Sequence, residues 1–307
     1  MAAPMGVALL VVACASAPEA AGRPAADAAR LAPVAGIAPA SSHRSPPGAP
    51  PPAAAASASA LAAPARSAEG ALLEESPPVR RVSDWNRDGA ATTWNRAARA
   101  LSQRATAVRQ LFADAGVAFP PAQMLLRGFK QERRLEAWAA STPAEPLAHV
   151  TTYEICYASG TLGPKRKQGD HQTPEGFYGI DYFDPQSRWH LALHVSYPNR
   201  SDRILGDRRD PGDGILIHGK CASVGCISLT DERIEELWTM AKPAHDAGTR
   251  VHVQLLPSRN IPALLASAEH PEHGAFWENL QPGVRHFELS RRVPRVGVQP
   301  DGRYVFE

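Results

Sequence analysis

All 20 Phe, Trp and Tyr residues of this 307-residue chain lie at or after Trp85. Aromatic side chains dominate the energetics of protein cores, so the first quarter of the chain has little from which to build one. Within it, residues 15–80 hold 24 Ala and 12 Pro among 66 positions. Such a stretch buries too little apolar surface to offset its ordering entropy. The sequence therefore predicts a disordered or semi-extended linker over 15–84 and one globular unit of roughly 220 residues behind it. With 33 Lys and Arg against 31 Asp and Glu, the net charge is +2, and that balance offers no electrostatic case for a nucleic-acid partner.

Residues 5–13 (MGVALLVVA) form an apolar run too short to cross a bilayer as a helix and suited to the centre of a secretion signal. The run ends in Val11-Val12-Ala13-Cys14. A branched residue three before the Cys and a small one just before it resemble a bacterial lipobox. That resemblance implies a signal over 1–14, a lipid anchor on Cys14, and a linker that tethers the domain to a membrane it touches in no other way. Ordinary cleavage after Ala15 and an uncleaved apolar start are the rival readings. Export to the periplasm or cell envelope is the expectation. Removing Cys14 leaves Cys156, Cys221 and Cys226, an odd number, so an oxidising compartment would leave at least one thiol free or paired outside the chain.

Beyond the linker the hydrophobic period changes from helical to alternating. Trp94, Ala98, Leu101, Ala105, Val108 and Phe112 form one helical stripe, with Gly116 placed to end it. Trp189, Leu191, Leu193 and Val195 alternate strictly over 188–196 and predict a half-buried strand, as do Val251, Val253 and Leu255. Shorter β-like runs fall at 125–138, 150–157, 176–182 and 214–217. Residues 230–241 read as a helix capped by Thr230, with Pro243 set to bend or stop it. The tail from Ile261 reads as a short helix and then an irregular segment, packed on the core by Phe276, Trp277, Phe287 and Tyr304. The expected class is mainly β with flanking helices (α+β). Its parts are an N-terminal helix over 85–118, a catalytic domain over 119–258 and a C-terminal extension over 259–307.

The segment with chemical content is Ile215-Leu216-Ile217-His218-Gly219-Lys220-Cys221-Ala222-Ser223-Val224-Gly225-Cys226. A strand end would fix the His218 ring, and Gly225 lets the backbone turn sharply beside the thiol. Those are the needs of a Cys–His nucleophile pair, in which an imidazolium can lower a thiol pKa from about 8.5 toward roughly 3.5 to 7.5. The N–H groups of Gly225 and Cys226 are candidates for an oxyanion hole. The Gly219 carbonyl is placed to hold the second imidazole nitrogen, and Ser223 to support the loop. Other pairings stay open: a Cys221–Cys226 disulfide, a metal shared with His218, or a Cys156–Cys221 bridge that leaves Cys226 free.

These residues resemble the active-site motif of the YkuD-type L,D-transpeptidases in their short-loop, YafK-like branch. Tyr153-Glu154-Ile155-Cys156, Ser159 to Lys165, Gly169-Asp170, Thr173 to Tyr178 and Tyr197-Pro198-Asn199 are similar to it too. The resemblance implies a β-sandwich catalytic domain, Cys226 as nucleophile, His218 as general base, and Gly219, Ser223 and Gly225 as the motif's remaining fixed positions. It implies peptidoglycan stem peptides as substrate, with wall-attached lipoprotein as a further partner, and neither cofactor nor metal. Val224 stands where better-studied members carry a second His, and Ser228 where Arg or Asn is common. The YafK-like branch resembles enzymes that cut bonds at diaminopimelate, so hydrolysis of such an amide ranks slightly above transpeptidation, and the departures at Val224 and Ser228 make a tethered wall-binding module without turnover the alternative. Lys165 and Tyr197 are candidates for substrate contact.

Overall fold

The computed structural model describes the backbone from Trp94 and side chains from Arg96 to Glu307. The predicted signal, the Cys14 anchor, the 15–84 linker and residues 85–93 lie outside the described residues. The first element is α1 (Trp94–Asp114), which buries Ala97, Ala100, Val108 and Phe112. Gly116 follows it at φ +68°, a left-handed position that suits a residue without a Cβ. Ala98, expected on the buried stripe, is exposed instead, because the buried face starts one residue earlier at Ala97.

A hairpin of β1 (Gln123–Phe129) and β2 (Arg134–Ala140) follows, joined antiparallel in full register. The sequence reads 125–138 as one run, but Arg133 at φ +53° sits in the turn that reverses the chain. Next come β3 (Ala148–Glu154), β4 (Gly176–Asp184), β5 (Ala192–Val195), α2 (Arg200–Leu205), β6 (Leu216–His218), β7 (Ile227–Ser228), α3 (Asp231–Asp246) and β8 (Val251–Leu256). Their eight strands form one sheet in the order β3-β2-β1-β8-β4-β5-β6-β7. Strand β4 serves both halves: Gly176 to Gly179 pair with β8, and Ile180 to Asp184 with β5, across a register break at Ile180/Tyr182. Such a break bends a strand, and it lies where the sheet curls. The fold is mainly β with flanking helices, as the sequence predicts.

One face of the curl closes on α1 and α3. Ile234, Leu237 and Met240 of α3 are fully buried with Leu193, Val195 and Ile217 in one cluster. Thr230 caps α3 by accepting from the Arg233 N–H. Pro243 does not end the helix, which runs three residues further to Asp246. The remaining elements are α4 (Ile261–Ser267), α5 (Gly274–Ser290), β9 (Val296–Val298) and β10 (Tyr304–Phe306). The expected irregular tail is thus largely the 17-residue helix α5, whose Trp277, Leu280 and Phe287 are buried; Pro282 inside it disguises the pattern. Among the described residues no helix is long and apolar enough to cross a membrane.

Candidate active site

His218 is the last residue of β6, and Cys226 immediately precedes β7. These two strands pair in parallel, Ile217 with Ile227 and His218 with Ser228, so Cys226 falls level with Leu216, two residues before His218 along the neighbouring strand and on the same face of the sheet. The imidazole is 1% exposed. Its Nδ1 donates to the Gly219 carbonyl at 2.6 Å, which leaves Nε2 without the proton in the neutral ring. Trp189 stacks on the ring at 5.1 Å between centroids. Sequence reading placed Trp189 in a strand, but β5 begins only at Ala192. His190 at φ +77° breaks the extended run and turns Trp189 toward His218. Gly219 donates to the Trp189 carbonyl at 3.0 Å, and a Cβ on Gly219 would lie 2.5 Å from Asp231, so this position admits only glycine without rearrangement.

Cys226 lines a narrow apolar recess with Phe129, Lys130, Ala158, Thr173 and Ile227. Its sulfur rests 3.7 Å from the Gly214 carbonyl, and among the described residues no hydrogen bond joins it to His218. Burial pushes the Cys226 thiol above its usual range, against a backbone N–H from Leu216 and the charges of Lys165 and Arg188. Burial likewise pushes His218 below the usual imidazole range, against its bond to Gly219. The resting pair is therefore a neutral thiol and a neutral imidazole, in place of the preformed ion pair that spacing suggested. Desolvation outweighs the fields that would favour the thiolate.

The loop between the two residues is held from several sides. Cys156 and Cys221 form a disulfide with Cα atoms 5.4 Å apart, and Cys226 is the free cysteine among the described residues. This removes the Cys221–Cys226 bridge and a metal site that includes Cys221. Ser223 Oγ donates to the Cys226 carbonyl at 2.6 Å. Gly225, at φ +107°, donates its N–H to Ser159 Oγ at 2.6 Å. That bond takes Gly225 out of the expected oxyanion pair. Sequence reading gave Ser159 no role, since its partner is 66 residues away.

Two candidate binding residues prove structural. Lys165 is 4% exposed, and its ammonium is used by Asp170 at 2.7 Å and the Lys167 carbonyl at 2.8 Å, so it cannot face substrate carboxylates. Tyr197 is 3% exposed and donates to the Pro211 carbonyl at 2.7 Å, a core role. Ser228 is fully buried and donates to the Tyr157 carbonyl at 2.8 Å, while Val224 is 70% exposed at the lip of the loop. Sequence reading also missed the reason for Glu175. Its buried carboxylate accepts from Gly163 N–H at 2.8 Å and Trp277 Nε1 at 2.7 Å, and pairs with Lys130 at 2.9 Å.

The curled sheet thus carries, at the neighbouring strands β6 and β7, a buried histidine and a free thiol joined by a short, braced loop. Residues 119–253 match the family model YkuD, the L,D-transpeptidase catalytic domain. YafK of Escherichia coli strain K12 is 37% identical over 180 residues, which cover 58% of this chain and 71% of YafK. The chain belongs to the YkuD L,D-transpeptidase family. Among solved structures, the helical cell shape determining protein Pgp2 of Campylobacter jejuni matches at TM-score 0.37 and 20% identity, over 50% of this chain and 56% of Pgp2. Bdellovibrio bacteriovorus Bd1075 matches at TM-score 0.34 and 19% identity, over 56% of this chain and 59% of its own.

Proposed function

We propose that this protein is a cysteine-dependent acyl-transfer enzyme acting on peptidoglycan stem peptides, with hydrolysis of an amide at diaminopimelate ranked above transpeptidation. The observation that carries it is the tautomer of His218. With Nδ1–H spent on Gly219, Nε2 is the acceptor, beside the strand that carries the free thiol. Because both groups rest neutral, the thiol proton passes to Nε2 as sulfur attacks the carbonyl carbon. A C–S bond forms, the tetrahedral oxyanion collapses, the C–N bond breaks, and His218 returns the proton to the departing amine. Water or an amine then releases the thioester. The Cys226 N–H is the remaining oxyanion donor of the expected pair.

Digestion of purified sacculi by wild type and by Cys226→Ala, compared by mass spectrometry, tests the enzyme. Product is expected from wild type alone, and equal product from both refutes it. Equal binding of both to sacculi without product would favour the tethered wall-binding module. The neutral resting pair predicts that alkylation of Cys226 rises only above the usual thiol range in the absence of substrate. Envelope localisation and lipidation at Cys14 belong to the same proposal, supported by the apolar run 5–13 and by a disulfide, which oxidising compartments permit. Cys14→Ala is expected to release the protein from membranes, and unchanged membrane association would refute the anchor.

A further inference from the structure

We propose that Arg188 forms a carboxylate subsite at the His218 side of the cleft and selects substrates that carry a free carboxylate beside the scissile amide. Ser228 lies two residues after Cys226. Ser228 is fully buried and spent on the Tyr157 carbonyl, so it offers nothing to a ligand. Arg188 lies in the turn before β5, exposed, with its guanidinium 5.0 Å over the Trp189 ring. Trp189 in turn stacks on His218 at 5.1 Å. The order from solvent inward is thus guanidinium, indole, imidazole.

Three features separate this arginine from an ordinary surface cation. Its backbone is pinned, because Lys220 Nζ donates to the Arg188 carbonyl at 2.8 Å. Its side chain is steadied by the indole face, a cation–π contact that orients the planar fork without consuming its N–H donors. Among the described residues it has no ion-pair or hydrogen-bond partner for the guanidinium. A guanidinium with free donors matches a carboxylate bidentately. Lys165, the candidate for substrate contact that the sequence offers, is committed to Asp170.

The subsite rests on the reading of the cleft as a stem-peptide site, but its test does not require turnover. The full chain carrying Cys226→Ala is titrated calorimetrically with two muropeptides, identical except that the diaminopimelate carboxylate is free in one and a carboxamide in the other. The free acid is expected to bind about tenfold more tightly, the order of a charge-assisted bidentate contact. Arg188→Gln should reduce the ratio to about one, and Arg188→Lys should restore part of it. A ratio that Arg188→Gln leaves unchanged overturns the proposal, as does no measurable binding of either peptide. On the protein with Cys226 intact, the same preference should appear in KM. A preference without product would sink the acyl-transfer chemistry and leave the subsite standing. Product formation with equal KM for both peptides would do the reverse.

Discussion

Replacing Glu175 with Gln keeps the shape of a fully buried side chain and removes its charge. The carboxylate now pairs with Lys130, whose side chain is 9% exposed, at 2.9 Å, and accepts from Gly163 and Trp277. Removing one partner of a buried pair costs about 3–5 kcal/mol, since the other charge stays desolvated. The amide also points a donor at one of two fixed N–H groups, which adds to the same loss. At about 2–4 °C per kcal/mol for a domain of this size, the melting temperature should fall by roughly 6–20 °C. Lys130 gives the reasoning a second signature. Burial already lowers its pKa, against the Glu175 charge, and without that charge it falls further. A lysine depressed in the folded state binds fewer protons there than in the unfolded chain, so stability rises with pH between the folded and unfolded values. Urea denaturation of Glu175→Gln should therefore show a smaller deficit at pH 9.5 than at pH 7. Adding Lys130→Met should recover part of it, the part that its bonds to the Gly163 and Thr173 carbonyls do not claim. A deficit under about 0.5 kcal/mol, or one indifferent to pH, would refute the account.

The Cys156–Cys221 bridge closes a loop of 65 residues, and chain-entropy arithmetic assigns such a loop about 4 kcal/mol. Cys156→Ser with Cys221→Ser should lower the denaturation midpoint accordingly, and should disorder the Cys226 loop in hydrogen exchange before the sheet; unchanged exchange there would contradict the bracing role. Burial raises the carboxyl of Asp202 to about 7, against hydrogen bonds from Asn199 and Tyr178. A folded pKa above the unfolded one means that stability from this group is complete below about pH 4 and is lost as pH rises through 7. Asp202→Asn should thus gain on wild type across that window in thermal melts, and parallel curves would count against it.

Much of the sheet was legible because its strands alternate or run apolar over several residues: Val251, Val253 and Leu255 sit in β8 and are buried as their period requires. The failures have local causes. A strand pattern over 188–196 was real at Leu191, Leu193 and Val195, all fully buried, but one left-handed backbone at His190 cut it short. Periodicity carries no sign of that turn, and the cost was missing Trp189 and Arg188 as neighbours of His218. In α5, Pro282 reads as a breaker, yet the buried spacing of Trp277, Leu280 and Phe287 persists through it.

The candidate site divides in the same way, by sequence distance. His218, Gly219, Ser223, Gly225 and Cys226 lie within nine residues, so their spacing alone suggests a strand end, a sharp turn and a thiol. What holds them in place comes from far along the chain: Ser159 to Gly225 across 66 residues, Tyr157 to Ser228 across 71, and the Cys156–Cys221 bridge across 65. No local pattern encodes such pairs. Burial of the site, which spacing does not show, favours the neutral thiol and the neutral imidazole over the ion pair that spacing suggested. On the proposed acyl-transfer reading, proton transfer accompanies the attack, and the sulfur leaves its contact with the Gly214 carbonyl to reach His218. A carboxylate docked on Arg188 would arrive on the imidazole side of that sulfur. Its charge would favour the imidazolium over the neutral ring at the moment the proton moves.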